Sequence, residues 1–233
     1  MYSQKPAFAG LIFLITGLFA CDSNEIGESR DVNQDKIFMD YTISYAEGSD
    51  DVSINFQYRF AGSAGTTLVL NNPSQVELDG EKLNVDSSKG GGAFYEVTKN
   101  YTRFLGKHRI LFTDINGKQF DNSFEFAAFA LIDLPNKADR NKDLVISYNT
   151  VPLSPHDYIE INSIETDSSF HYHQSGPATI INIPATELKR QKSKEIQFES
   201  IVYREIPLKQ TTAEGGTFKL TYRLKPVKIK LEP

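Results

Sequence analysis

Apolar and polar residues alternate with a period of two along most of this chain. Val52, Ile54, Phe56, Tyr58 and Phe60 share one parity, while Ser53, Asn55, Gln57 and Arg59 take the other. That is the signature of a half-buried strand. Ile37–Ala46 carries a looser version of the pattern, and Gly48-Ser49-Asp50-Asp51 reads as the turn between the two. Val76-Glu77-Leu78 and Leu83-Asn84-Val85 flank Asp79-Gly80, and Asp-Gly supplies the positive φ angles of a tight hairpin. His108–Ile115 and Lys118–Phe126 flank Asn116-Gly117, a second hairpin signal. Lys89-Gly90-Gly91-Gly92 predicts a flexible loop, after which Ala93, Tyr95 and Val97 share a face. About seven strands fit between Ile37 and Ile132, the spacing expected of a sandwich.

Leu134-Pro135-Asn136-Lys137 predicts a boundary. The β pattern then resumes in Leu144–Tyr148, Tyr158–Ile164, Ser169–His173, Ala178–Ile183, Glu195–Tyr203, Thr217–Leu224 and Val227–Leu231. Pro184–Leu188 fits a single helical turn, and the basic run Lys189–Lys194 a solvated loop. No stretch shows a long 3.6-residue stripe with caps at both ends. The expected class is therefore all-β, with two tandem immunoglobulin-like β-sandwiches over residues 37–133 and 134–233.

The first residues break this pattern. Ala7–Ala20 is fourteen residues without a charge, behind a short segment carrying Lys5. That length suits the apolar core of an export signal and is short for a transmembrane helix, which needs about 20 apolar residues. The run ends Leu18-Phe19-Ala20-Cys21, which resembles the lipobox of bacterial lipoproteins. The resemblance implies cleavage after Ala20 and acylation of Cys21, with residues 1–20 removed as a signal peptide. Phe19 is larger than the residue usual at its position. Cys21 is also the only cysteine, so lipidation accounts for a lone thiol in an exported chain, and no intramolecular disulfide can form. Several acyl chains together hold a protein to a membrane far more firmly than one.

Residues 21–36 carry Asp22, Glu25, Glu28, Asp31 and Asp35 against Arg30 and Lys36, with few apolar side chains. They predict a solvated tether with an r.m.s. span of roughly 20 Å as flexible coil. Acidic residues close behind the cysteine resemble the surface-export signals of Bacteroidota lipoproteins. The lipobox, this tether, the tract Phe112–Gln119 and the ending Pro207-Leu208-Lys209 … Gly215-Gly216 together resemble uncharacterised Bacteroidota lipoproteins built of immunoglobulin-like sandwiches. The resemblance implies an outer-membrane, palmitate-bearing protein, displayed on the cell surface or held on the periplasmic face. It implies no activity.

The formal net charge of −5 argues against a nucleic-acid partner, which calls for a basic face. The 11 tyrosines and 16 phenylalanines mostly alternate with polar residues, so most predict core positions. Exposed members could stack on sugars. Three of the four histidines, His156, His171 and His173, are candidate metal ligands: residues two apart on a strand face one side, and imidazoles beside Asp157 suit zinc or copper. Surface histidines next to strands are the plainer expectation. Asp139-Arg140-Asn141-Lys142-Asp143 alternates oxygen ligands, yet Leu144 stands where a calcium loop has glycine. There is no Gly-x-Ser-x-Gly elbow and no phosphate-binding Gly-x-x-x-x-Gly-Lys sequence. No cofactor and no catalytic residue is expected.

The leading expectation is a non-enzymatic, lipid-anchored module or spacer. It would contact a protein or glycan partner, and the membrane through Cys21. Ser87–Gly92 and Glu47–Asp51 are its candidate contact loops. The alternatives are a metal-binding protein or enzyme using the His156/His171/His173 region, and a structural subunit of an envelope complex.

Overall fold

The computed structural model describes residues 25–149, 153–164, 171–176, 178 and 180–233. Cys21, the expected signal peptide and Ser169–Phe170 lie outside these residues. The first half supplies β1 (Ile26–Glu28), β2 (Ile37–Ala46), β3 (Asp51–Phe60), β4 (Thr66–Val69), β5 (Gln75–Leu78) and β6 (Glu81–Lys82). It continues with β7 (Val85–Ser88), β8 (Gly92–Asn100), β9 (Gly106–Thr113), β10 (Gln119–Phe126) and β11 (Leu131–Ile132). The second half holds β12 (Lys137–Asp139), β13 (Leu144–Tyr148), β14 (Tyr158–Ser163), β15 (His171–Ser175) and β16 (Ile180–Ile183). After the six-residue helix α1 (Ala185–Arg190) come β17 (Glu195–Glu205), β18 (Gly216–Arg223) and β19 (Val227–Glu232). The protein is all-β, as its alternation predicts.

Alternation decides which side of each strand is buried. Along β2 the odd positions Ile37, Met39, Tyr41 and Ile43 have no exposure, and along β3 the even positions Val52, Ile54, Phe56 and Tyr58 have none. Both sets point at one core because the antiparallel register sets Ile43 opposite Ile54 and Tyr41 opposite Phe56. A second sheet, β10-β9-β5-β6, closes over that face. Tyr58 packs on Phe112 with ring centroids 4.4 Å apart, and Phe124 meets Phe218 edge-on at 4.9 Å. The smaller sheet β11-β13-β16 brings Leu144, Ile146, Tyr148, Ile181 and Ile183 to the core beside Ile159, Ile161 and Phe198. The result is the face-to-face packing of sheets in a β-sandwich.

The turns follow their sequence signals in part. Asp79 (φ 55°) and Gly80 (φ 83°) form the two-residue turn between Leu78 and Glu81. At Asn116-Gly117 the strands stop earlier than the pattern suggests, at Thr113 and Gln119. Buried Asp114 accounts for this: its carboxylate accepts the Asn116 and Lys118 amides and takes over groups that a ladder would use.

Two features of the structure bear on the expected domain bounds. The expected solvated tether is structured from Ile26 onward. β1 pairs in parallel with β4, and Ser29 and Gln34 are buried. Ser29 Oγ accepts the Asn71 amide at 2.9 Å, and Gln34 Nε2 donates to the Ser29 and Val32 carbonyls. These side chains satisfy buried backbone groups, so a polar composition does not make the segment free. The other concerns the expected division at 133/134, which leaves β18 on its far side. β18 pairs in parallel with β2 over eight residues, from Gly216–Met39 to Arg223–Ala46, and its inward Phe218, Leu220 and Tyr222 complete the core around Tyr41 and Phe126. The loop of residues 206–215, which joins the antiparallel neighbours β17 and β18, is fastened to the first half as well. Asn122 Oδ1 accepts the Lys209 and Gln210 amides, and Thr212 Oγ1 donates to the Ile37 carbonyl at 2.6 Å. The β18–β2 pairing makes one sheet of β1-β4-β3-β2-β18-β17-β14-β15, with β7, β8, β12 and β19 alongside.

Candidate functional site

The outer face of that shared sheet carries an aromatic cluster. On β14, Ile159 and Ile161 take the core, so Tyr158 shares the opposite face with Glu160 and Asn162. On β17, Phe198 and Val202 take the core, which turns Tyr203 outward. The register places Tyr158 directly across from Tyr203. Their rings stack at 4.6 Å with planes 22° apart. His173 of β15 packs on the other side of Tyr158 at 4.9 Å. Burial raises the pKa of both phenols, and the Glu160 carboxylate adds to it. Each therefore keeps its hydroxyl proton and can donate.

A cavity of about 190 Å³ lies beside this stack, lined by His156, Tyr158, Tyr203, Glu205, Lys219 and Thr221 among others. Asp157 holds its edge in place. It is 1% exposed and fully engaged: Arg204 Nε donates to it at 3.1 Å, and the Ser154 and Glu205 amides donate at 2.9 and 3.0 Å. A buried carboxylate is costly unless it has such partners. Here they clamp the turn before β14 onto β17, which fixes His156 and Tyr158 at the cavity.

The histidines expected as ligands are divided among other roles. His171 and His173 are exposed on β15, on one face as their spacing predicts. His171 Nδ1 sits 2.6 Å from Asn162 Oδ1, His173 stacks on Tyr158, and His156 lines the cavity. Among the described residues no group of three or more His, Cys, Asp or Glu side chains is placed to hold a metal ion. The fourth histidine, which the sequence left unmarked, is a structural one. His108 Nδ1 lies 2.7 Å from Asp79 Oδ2, its Nε2 lies 2.6 Å from the Phe104 carbonyl, and its ring stacks on Phe104 at 3.9 Å.

The acidic run near the boundary also serves the backbone. Asp139 accepts the Asn141 amide at 2.8 Å, and Asp143 accepts the Ala185 amide at 2.9 Å at the start of α1. Of the expected contact loops, Lys89–Gly91 is a turn between β7 and β8, and Glu47–Asp51 borders a second cavity of about 560 Å³. Sequence reasoning missed Tyr158 and Tyr203 by assigning most rings to the core. Strand parity marks them in part: Tyr158 falls on the opposite parity to Ile159 and Ile161, and Tyr203 on the opposite parity to Phe198 and Val202, though Ile201 shares its parity.

No family model matches the chain, and no curated protein matches it. Among solved structures it is similar to murine CEACAM1b, with 8% identity over 84% of this chain and 100% of that one and a TM-score of 0.25. It is also similar to the Bacteroides ovatus SGBP-B of a mixed-linkage glucan utilization locus, in complex with a mixed-linkage heptasaccharide, with 12% identity over 97% and 71% and a TM-score of 0.22. A third is a bacterial ice-binding adhesin, with 10% identity over 86% and 66% and a TM-score of 0.24. Likenesses this low leave the site to be argued from the chain's own residues.

Proposed function

We propose that this chain is a non-enzymatic, lipid-anchored envelope protein that binds a saccharide on the Tyr158–Tyr203 face. The observation that carries the reading is the stacked tyrosine pair turned away from the core and flanked by a polar-edged cavity. Rings of this kind present a flat apolar surface with a hydrogen-bonding tip. That matches a sugar, whose C–H face is apolar and whose rim is hydroxyl. Glu205 and Lys219 face each other across β17 and β18 at the cavity and supply acceptor and donor for that rim. His156 adds a third polar group.

The test is affinity electrophoresis through gels containing starch, laminarin, xyloglucan, galactomannan or yeast mannan. The wild-type protein is expected to be retarded by at least one, and Tyr158→Ala/Tyr203→Ala to migrate as in the blank gel. Free migration of the wild-type protein in every gel would refute the saccharide reading.

The anchor belongs to the same proposal. With lipid on Cys21, at most about 14 Å of extended chain separates it from Glu25, so the body stands close to the membrane. Cys21→Ser is expected to shift the protein from the detergent phase to the aqueous phase, and proteolysis of intact cells to degrade the wild-type chain. Retention of Cys21→Ser in the detergent phase would exclude the lipid, and protection from protease would put the protein on the periplasmic side.

A further inference from the structure

The register of the shared sheet extends the tyrosine pair into a longer feature. Tyr158 is opposite Tyr203, Tyr203 opposite Thr221, and Thr221 opposite Ser44. Ser44 is opposite Ser53, and Ser53 opposite Thr98. These six residues form one transverse row on β14, β17, β18, β2, β3 and β8. All lie on the outward parity, and none is fully buried. At about 4.8 Å per strand the row is roughly 24 Å long.

Its cross-section is that of a trough. The floor beyond the tyrosines is made of serine and threonine. Of the outward positions two residues away, Asn55, Lys219 and Glu205 on one flank and Asp51, Arg223 and Glu160 on the other are longer, while Thr42 and Ala46 of β2 are short and leave the walls low at that strand. The two cavities are successive parts of this trough. The 190 Å³ cavity beside the tyrosines and the 560 Å³ cavity over Ser44, Ser53 and Thr98 share Thr221 as a lining residue.

We infer that the trough is an extended binding track for one neutral oligosaccharide chain, laid across the strands with its end on the tyrosine pair. The inference rests on the saccharide reading above and adds the length, direction and charge class of the ligand. The strand spacing is close to the length of one pyranose unit, so successive sugars meet successive strands. Hydroxyl side chains on the floor exchange hydrogen bonds with hydroxyl groups of the ligand. The flanks carry both signs, with the acids outnumbering the bases, which disfavours an anionic chain. A peptide strand would seek an open sheet edge, where backbone groups are free; along this trough they are already bonded between strands. The track crosses from β18 to β2, so it exists only because a strand from the second half joins the first sandwich.

Isothermal titration tests this with oligomers of two, four and six units, prepared from the polysaccharide that retards the wild-type protein. Affinity is expected to rise at least tenfold from the dimer to the hexamer. Ser53→Tyr fills the floor three strands from Tyr203 at an outward strand position that tolerates an aromatic side chain. It is expected to bring the hexamer-to-dimer affinity ratio close to one. Circular dichroism and the urea midpoint confirm that the variant is folded. An affinity that does not grow beyond the dimer, or a ratio unchanged by Ser53→Tyr, overturns the track while the tyrosine site stands. Tighter binding of a sulfated or uronic-acid hexamer than of the neutral one overturns its charge class. If no polysaccharide retards the wild-type protein, the tyrosine site falls and the track with it.

Discussion

Replacing Phe218 with alanine tests the central feature of the fold, the completion of the first sandwich by a strand from the far end of the chain. Phe218 is 1% exposed. Its ring meets Phe124 edge-on at 4.9 Å and Tyr41 edge-on at 6.0 Å, so its contacts belong to strands more than ninety residues away in sequence. Truncating a buried phenylalanine costs about 3–5 kcal/mol, from lost transfer energy and the cavity left behind. Each lost edge-on ring pair is worth about 0.5–1.5 kcal/mol beyond burial and places this site towards the upper end. With a urea m-value of about 2 kcal/mol/M, the midpoint should fall by about 1.5–2.5 M. Tyrosine fluorescence and far-ultraviolet circular dichroism report the transition, since the chain has no tryptophan. Amide exchange read by mass spectrometry then locates the damage. Peptides from Ile37–Ala46 should lose protection as much as those from Gly216–Arg223, because β2 and β18 share eight residue pairs. If protection falls only in the C-terminal half while β2 keeps its own, the first sandwich does not depend on β18 and the argument is refuted.

Three further outcomes are expected. Asp157→Ala leaves Arg204 and two amides without their shared acceptor. It should cost about 3–5 kcal/mol in urea unfolding, as for one half of a buried ion pair; a loss under about 1 kcal/mol would mean that the carboxylate is dispensable. Gly92→Ala puts a methyl group 2.1 Å from Thr67 Oγ1 at a φ of +70°. That oxygen takes the Ala93 amide and donates to the Glu25 carbonyl, so limited proteolysis within residues 25–36 should accelerate. An unchanged cleavage rate there would show that β1 docks without this contact. The third concerns acid. The Ala185 amide, and then Asn182, hold Asp143 below its ordinary value of 3.8. A depressed carboxylate contributes stability above its unfolded pKa and loses it as pH falls through the folded one. Its carboxyl carbon resonance should therefore titrate below 3.8, together with the Ala185 amide; a midpoint at or above 3.8 would show that the cap is absent in solution.

Several elements were legible in the sequence because their causes are local. Period-two alternation gave β2, β3, β13 and β19 nearly to the residue, since burying one face of a strand requires that spacing. Asp79-Gly80 gave a tight turn because its two positive φ angles favour those residue types. Pro184–Leu188 foretold the short helix α1. His171 and His173 share a face, as two-residue spacing on a strand demands. The limits of local reasoning show at particular residues too. Asp114 shortens a hairpin by accepting two amides, and Gln34 buries a segment whose composition reads as solvated.

The candidate site belongs to a different category. Parity alone turns Tyr158 and Tyr203 outward, and that much is written in Ile159, Ile161, Phe198 and Val202. Their stacking depends on the β14–β17 register, which no single strand contains. The transverse row depends further on β18 pairing with β2, two segments about 180 residues apart that could have lain in separate sandwiches. The sequence by itself determined the all-β class, the face each strand buries, the turns and the lone cysteine, because each follows from neighbours along the chain. Only the tertiary structure decided which strands became neighbours in space. That choice rests on long-range complementarity of Phe218, Leu220 and Tyr222 with a core built from the other half.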